Sequence, residues 1–191
     1  MENVLAALQK WRVRLGHLFA LVVLACARPE TSFLIAGTIV SLAGEAIRIY
    51  SAGTILKDET LARSGPYAFT RNPLYLGSFL MSLGFCIAAA NIYLLALFFV
   101  FFFSVYYATI YREEQFLKGR FGAEYEAFCR DVPRFFPRLS PAPGATRASF
   151  DWSQVRKNKE YEGLAATLVI LAILWAMGLT GWNVPEMLGL Q

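Results

Sequence analysis

Apolar residues in this chain form long blocks, and the shorter segments between them hold nearly all of the charge. A helix needs about 20 apolar residues to cross the hydrocarbon core of a membrane. Five blocks approach this length and predict transmembrane helices at residues 13–27, 31–50, 73–90, 92–111 and 164–182. The first block is the weakest, because it is short and carries Arg14 and His17. The pattern therefore predicts an all-α fold, a multi-span transmembrane bundle of five helices.

Apolar side chains recur at helical spacing after the fourth block, at Phe116, Leu117, Phe121, Tyr125 and Phe128. This periodicity predicts a separate amphipathic helix that lies at the cytoplasmic membrane interface or covers the bundle. Residues 89–91 predict a tight turn between the third and fourth helices. Residues 140–153 are rich in proline, alanine and glycine, and this composition predicts a loop.

The composition agrees with a membrane protein. Charged residues make up 17% of the 191 positions, whereas soluble domains carry about 25%. Seventeen of the 18 lysines and arginines fall within residues 10–14, 48–71 and 112–159. Because positive charge accumulates on the cytoplasmic side, we predict a single integral membrane domain over residues 1–191, with a cytoplasmic N-terminus and a C-terminus outside. The same rule accounts for the net charge of +4 without a nucleic-acid partner.

The cysteine and histidine content predicts neither a disulfide framework nor a metal site. Cys26 and Cys86 lie in apolar blocks, Cys129 lies in a basic segment, and His17 is the only histidine. Structural zinc sites draw on clusters of cysteine and histidine, which this sequence lacks. We therefore expect a function that uses no bound metal.

The first candidate site is the run Gly-Pro-Tyr-Ala-Phe-Thr-Arg-Asn-Pro-Leu-Tyr-Leu-Gly at residues 65–77. Its Gly-Pro pair marks a turn. Asn72 and Pro73 predict the N-cap and first turn of the third helix. Capping alone does not explain Arg71 or the tyrosines at positions 67 and 75. A helix N-terminus flanked by arginine is a ready site for a carboxylate or phosphate.

The second candidate site is the run Arg112-Glu113-Glu114, directly after the fourth block. Negative charge at a helix C-terminus is unfavourable with the helix dipole, so the two glutamates call for a reason. The structural alternative is a solvated helix end in which they pair with Lys118 or Arg120.

Two further features also admit structural explanations. Residues 121–125 and 132–137 are a third candidate, and the alternative for them is an interfacial helix, a glycine kink and a proline-terminated turn. Glu45 and Arg48 are three residues apart in the second block and can pair on one helix face. Ionisable residues inside a membrane are functional candidates, although a structural pair near the helix end explains these two equally well.

The three candidate sites, in this order around a helical hairpin, resemble the isoprenylcysteine carboxyl methyltransferase family and the related phospholipid N-methyltransferases. The resemblance covers residues 51–137, which it identifies as the cofactor-binding part. It implies methyl transfer from S-adenosylmethionine, at the cytoplasmic face of the membrane, to a lipid-like or prenylated acceptor. The transfer would be carboxyl O-methylation or amine N-methylation.

The resemblance also assigns roles by position. It implies cofactor-binding residues at Thr60, Leu61, Ala62, Tyr67, Asn72, Pro73, Leu74, Tyr75 and Glu113. It implies catalytic roles for Arg71, Tyr75 and Glu114, and substrate-binding roles for Thr109 and Arg112. Two positions depart from the pattern: the family has histidine at the position of Asn72 and a substrate-binding arginine at the position of Thr109. The second departure weakens the case for a prenylcysteine carboxylate in particular.

Two other functions remain open at this stage. One is an NADPH-dependent membrane reductase, although the chain contains no Gly-x-Gly-x-x-Gly motif. The other is a non-catalytic membrane carrier or assembly protein, which would explain the apolar blocks but leave the motifs without a role.

Overall fold

The computed structural model describes residues 2–55, 60–146 and 148–182, and within these it is all-helical. A 3-10 turn at Gly65–Ala68 precedes the third helix. The described residues contain seven α-helices, which are in chain order α1 Glu2–Cys26, α2 Thr31–Thr54, α3 Pro73–Ala88, α4 Ile92–Phe121, α5 Ala123–Asp131, α6 Trp152–Lys157 and α7 Glu160–Thr180.

The predicted apolar blocks all form helices, and the predicted starts at Thr31, Pro73 and Ile92 are confirmed. In the part of the chain that the structure describes, α2, α4 and α7 are long and apolar enough to cross a membrane. Helix α3 is apolar but has only 16 residues, and α1 is not among the three. Membrane crossing by α1 and α3 therefore stays a prediction.

The prediction of a separate amphipathic helix directly after Tyr111 is wrong. Helix α4 has 30 residues and extends past Tyr111 to Phe121. It does so because residues 112–118 have ordinary helix propensities and do not terminate a helix. The break comes at Gly122, whose φ of 50° lies in the left-handed region that favours glycine. The predicted apolar stripe is thus shared between the end of α4 and α5.

Helices α2 and α3 approach each other closely along a seam of small residues. Gly37 and Gly44 of α2 face Gly84 and Gly77 of α3, with the same seven-residue spacing on both helices. A Cβ atom at Gly44 would lie 2.6 Å from the carbonyl oxygen of Gly77. Small residues allow such backbone contact between membrane helices, so this seam holds the first turn of α3 beside the end of α2.

Gly44→Ala is expected to lower the thermal midpoint of the purified protein, at a cost of about 1–3 kcal/mol for overpacking. The added methyl group meets backbone atoms of α3, which cannot move aside as a side chain can. The matched control is Gly119→Ala in α4, where a Cβ atom has no neighbour within 4 Å. That control should raise stability slightly, because alanine favours helix. Equal effects of the two changes would contradict the seam.

The helices alternate in direction, which separates two ends of the bundle. At one end, the backbone N–H of Arg28 donates to Ala89 O at 2.8 Å and Asn91 Nδ2 donates to Cys26 O at 2.9 Å. The predicted turn at residues 89–91 lies here and is confirmed, with Ala90 at a φ of 51°. At the other end meet the last turns of α2 and α4 and the first turns of α3 and α7, so this end carries both principal motifs.

Helices α1, α3 and α4 share an aromatic core. Phe19 of α1 stacks on Phe101 at 4.8 Å between ring centroids, and Phe79 of α3 lies 5.1 Å from Phe98. The predicted loop at residues 140–153 is confirmed for residues 140–146 and 148–151, while residue 147 lies outside the described residues. Asp151 caps α6 by accepting from Ser153 N at 2.7 Å. The last two positions of that prediction are wrong, because this cap starts the helix at Trp152.

Candidate active site

The first turns of α3 meet the end of α4 through a tyrosine and a glutamate. The Tyr75 hydroxyl donates to Glu113 Oε2 at 2.7 Å. Its ring packs edge-on against Tyr106 of α4, with centroids 5.5 Å apart. The Tyr75 oxygen also accepts from Arg12 Nη1 of α1 at 3.3 Å. Three helices thus converge on one phenol, and two residues of the separate sequence motifs are in direct contact.

Glu114 points away from this contact. Its side chain is only 8% exposed and lies between two arginines: Arg71 Nη2 is 3.2 Å from Oε1 and Arg134 Nη2 is 2.7 Å from Oε2. The hydrogen bond to Glu114 raises the pKa of Arg134. The alternative of a solvated helix end is therefore wrong for Glu114, while Lys118 pairs with Glu126 at 3.0 Å.

The segment at residues 132–138, here called the docked segment, packs against the start of α3. Asn72 Nδ2 donates to Arg134 O at 2.9 Å, and Thr70 Oγ1 donates to Phe135 O at 2.9 Å. Asn72 occupies the predicted N-cap position, but its side chain makes no capping hydrogen bond. The predicted N-cap position is therefore confirmed, and the amide nitrogen of Asn72 holds the docked segment.

Tyr67, in the 3-10 turn, is 6% exposed. Its hydroxyl has no hydrogen-bond partner among the described residues. Burial raises the pKa of Tyr67, and the nearby negative charge of Glu113 raises it further. The phenol therefore stays protonated at neutral pH. A buried donor without a partner is costly, which makes this hydroxyl a candidate to bind a ligand.

Another ion pair, whose charges act on Tyr67, lies between α2 and α7. Arg48 Nη2 is 2.8 Å from Glu160 Oε2, and its Nε donates to the same oxygen at 3.1 Å. The predicted pairing of Arg48 with Glu45 is wrong, because Glu160 offers the guanidinium a two-pronged partner. Glu45 instead accepts from Thr167 Oγ1 of α7 at 3.2 Å.

The remaining predicted residues take several positions. Thr60 is exposed, Ala62 is half-buried, and Leu61 packs against the apolar cluster around Tyr125 and Phe128. Pro73 is buried in the first turn of α3. Leu74 presents its carbonyl oxygen to Arg48 Nη1 at 3.4 Å.

The two predicted substrate-binding residues on α4 lie apart. Thr109 is fully buried and donates to Val105 O of its own helix at 3.0 Å, whereas Arg112 is exposed. Their assignment to substrate is untested and stays a prediction.

Three charged residues of this region were not predicted as site residues: Arg12, Arg134 and Glu160. Arg134 lies within the third candidate site, between two prolines, so the sequence did mark its neighbourhood as a candidate. Glu160 is 112 positions from Arg48, and no spacing rule reaches so far. Arg12 lies directly before the weakest apolar block, where the positive-inside rule alone explains its charge.

The comparisons with known proteins agree with the motifs. The sequence model of the family described as phospholipid methyltransferase matches residues 21–124, more than half of the chain. This stretch contains the seam, the start of α3 and both glutamates. The chain is 32% identical over 97 residues to the protein-S-isoprenylcysteine O-methyltransferase of Schizosaccharomyces pombe, covering 51% of this chain and 41% of that protein.

Two other curated relatives carry metal-resistance names. The cobalt-zinc-cadmium resistance protein CzcN of Cupriavidus metallidurans is 34% identical over 102 residues, 53% of this chain and 47% of that protein. The nickel-cobalt-cadmium resistance protein NccN of Alcaligenes xylosoxydans xylosoxydans is 36% identical over 84 residues, 44% of this chain and 39% of that protein. The chain thus spans less than half the length of each relative. No solved structure matches it.

The family predicted from the motifs is therefore confirmed. Within the described residues, no cluster of His, Cys, Asp and Glu is arranged to hold a metal ion. Together with three helices apolar and long enough to cross a membrane, the family match supports a membrane methyltransferase. This chain belongs to the phospholipid methyltransferase family.

Proposed function

We propose that the chain transfers a methyl group from S-adenosylmethionine to a lipid-like or prenylated acceptor at the membrane surface. The observation that carries the proposal is the 2.7 Å hydrogen bond between Tyr75 and Glu113, close to the Tyr67 hydroxyl, which has no partner in the described part of the chain. This group of side chains lies at the end of the bundle where apolar helices give way to polar segments. A soluble cofactor and an apolar acceptor can both reach such a place.

The residues present fit the chemistry of S-adenosylmethionine. Its ammonium and ribose hydroxyls are donors, which the exposed carboxylate of Glu113 can accept. Its sulfonium is a cation, which the aromatic faces of Tyr75 and Tyr106 attract. Tyr67 offers a donor, and the N-terminus of α3 at Asn72 favours a carboxylate. Thr60, Leu61, Ala62, Pro73 and Leu74 complete the proposed cofactor-binding set.

Arg71 and Glu114 are positioning residues in this proposal rather than groups that touch the reacting atoms. Their ion pair, at 3.2 Å, joins the residue before Asn72 to the end of α4. The same pair holds the docked segment through Arg134. Fixing these elements keeps Tyr75 and Glu113 in one geometry, and orientation of this kind supplies about 7–11 kcal/mol of many reaction barriers.

S-adenosylmethionine supplies a methyl group activated by its bond to a sulfonium. When bound, it would give this methyl group to the acceptor oxygen or nitrogen as the carbon–sulfur bond breaks and its electron pair stays on sulfur, while Tyr67, Tyr75 and Glu113 would hold the cofactor. A carboxylate acceptor needs no base. An amine acceptor must also lose a proton, which Glu113 can receive.

The membrane arrangement is part of the proposal. With a cytoplasmic N-terminus and a C-terminus outside, the site faces the cytoplasm, and the acceptor enters sideways from the bilayer. The name of the Schizosaccharomyces pombe relative supports a prenylated carboxylate, and the family description supports a phospholipid. The metal-resistance names of the other two relatives concern those proteins.

Glu113→Gln is expected to weaken the binding of S-adenosylhomocysteine about 10- to 100-fold, since a hydrogen bond to a charged group contributes about 1.5–3 kcal/mol. Isothermal titration calorimetry in a non-ionic detergent measures this directly. The control is Glu126→Gln, which removes the same charge from an exposed ion pair with Lys118. Unchanged affinity in Glu113→Gln would remove the basis of the proposed site. Stabilisation by NADPH instead of S-adenosylhomocysteine would point to a reductase.

A further inference from the structure

Arg12 of α1 is half-buried and faces the candidate site. Its Nη1 atom donates to the Tyr75 oxygen at 3.3 Å. Among the described residues, no carboxylate lies within 4 Å of its guanidinium, since the ion pairs found there involve other cations. A partly desolvated cation whose partner is a neutral phenol is electrostatically incomplete.

The neighbouring Arg14 behaves in the ordinary way for a basic residue at a membrane surface. It is exposed, and its guanidinium lies 4.7 Å from the centre of the Trp11 ring. Long basic side chains near the ends of membrane helices usually extend to the interface in this manner. Arg12 is two positions away and turns inward instead, so its orientation calls for a partner on the inner side.

The acidic group that contacts Tyr75 does not fill this role. Glu113 already accepts the hydrogen bond that the Tyr75 hydroxyl donates, so the phenol stands between the carboxylate and Arg12. Glu113 is also the residue proposed to face the cofactor. The unmatched positive charge therefore lies on the α1 side of Tyr75.

In the proposed membrane arrangement, that side of the site faces the bilayer. Helix α1 exposes Val13, Leu18 and Leu21, each more than half accessible, while Phe19 packs inward on Phe101. An amphiphile that moves from the lipid phase to Tyr75 along α1 reaches Arg12 first. The family match begins at residue 21, so it assigns nothing to this arginine.

We propose that Arg12 binds an anionic group of the methyl acceptor, a carboxylate or a phosphate, beside the Tyr75–Glu113 pair. This inference rests on the proposed function and names the acceptor class: an amphiphile with a negative charge near its methylated atom. If the anionic group is a carboxylate, it is itself the nucleophile. If the anionic group is a phosphate, it fixes the head group while a neighbouring amine is methylated.

The test measures binding before turnover, with Arg12→Gln and the matched control Arg14→Gln. The ligands are N-acetyl-S-farnesylcysteine, which carries a carboxylate, phosphatidylethanolamine, which carries a phosphate, and octadecylamine, which has no anion. We expect Arg12→Gln to weaken at least one of the two anionic ligands about 10- to 100-fold, as for a lost charge-assisted hydrogen bond. Octadecylamine binding should not change, and Arg14→Gln should resemble the unaltered protein.

Turnover and cofactor binding separate this inference from the proposed function. For the preferred acceptor, Arg12→Gln should raise KM with little change in kcat, and Arg12→Lys should recover part of the loss. Unchanged binding of both anions, an equal loss with Arg14→Gln or with octadecylamine, or a loss confined to S-adenosylhomocysteine affinity would each overturn the role of Arg12. If the unaltered protein fails to bind S-adenosylhomocysteine, the proposed function itself fails.

Discussion

Replacing Glu114 by glutamine is expected to reduce the free energy of unfolding by about 3–5 kcal/mol, the usual loss when one partner of a buried ion pair is removed. The reason is the position of Arg71, whose side chain is only 12% exposed and 3.2 Å from the carboxylate. Arg71 cannot turn to water as Arg134 can, because the side chain of Arg134 is 47% exposed. The change therefore leaves one buried, uncompensated positive charge between α3 and α4.

Equilibrium unfolding in mixed micelles, followed by circular dichroism, measures this loss. Arg134→Gln is the graded control and should cost about 1 kcal/mol or less, as for an exposed ion pair. The double change Arg71→Met with Glu114→Leu should recover most of the stability, since apolar replacement of a whole buried pair is often neutral. A loss in Glu114→Gln no larger than that in Arg134→Gln would show that the pair is not buried in solution. Because the same pair holds the docked segment, S-adenosylhomocysteine affinity should fall as well.

The elements of the fold could be predicted because the apolar blocks and the turn residues agree. Pro73 and Ile92 begin helices where a proline and an asparagine cap mark the start. The end of α4 could not be placed, since the apolar block stops at Tyr111 while the backbone continues to Phe121. Hydropathy reports where a helix leaves the lipid, and the helix itself ends only where Gly122 changes the backbone direction.

The site could be predicted in part, namely those features that depend on residues close together in the sequence. Glu113 and Glu114 are adjacent in the chain, so about 100° of helix rotation separates them. The sequence placed both at one site, whereas the structure directs Glu113 to Tyr75 and Glu114 to Arg71. Which glutamate faces which partner depends on the packing of α3 against α4, and no local pattern contains that information.

Long-range ion pairs were beyond prediction for a related reason. Arg48 had a plausible partner three residues away in Glu45, and the helical spacing favoured it. The packing of α7 against α2 brings Glu160 to Arg48 instead. A pair separated by so much chain becomes visible only once the order of the helices around the bundle is known.

That pair gives the second large effect. Glu160→Gln is expected to destabilise the protein by about 3–5 kcal/mol, because Glu160 is 7% exposed and its loss leaves the Arg48 guanidinium, 22% exposed, without its counter-charge. Arg48 also donates to Leu74 O at 3.4 Å, so the change loosens α2 from both α7 and α3. Unfolding in mixed micelles measures the loss.

The control lies two residues further along α7. Glu162→Gln removes a carboxylate that is 60% exposed and 3.8 Å from Lys159, and it should cost about 1 kcal/mol or less. The double change Arg48→Met with Glu160→Met should recover most of the loss, because it removes both members of the Arg48–Glu160 pair together. The charges of Arg48 and Glu160 also act on the Tyr67 hydroxyl. If the double variant folds stably yet binds S-adenosylhomocysteine more weakly, the pair positions the site; if Glu160→Gln behaves like Glu162→Gln, α7 is held by apolar packing alone.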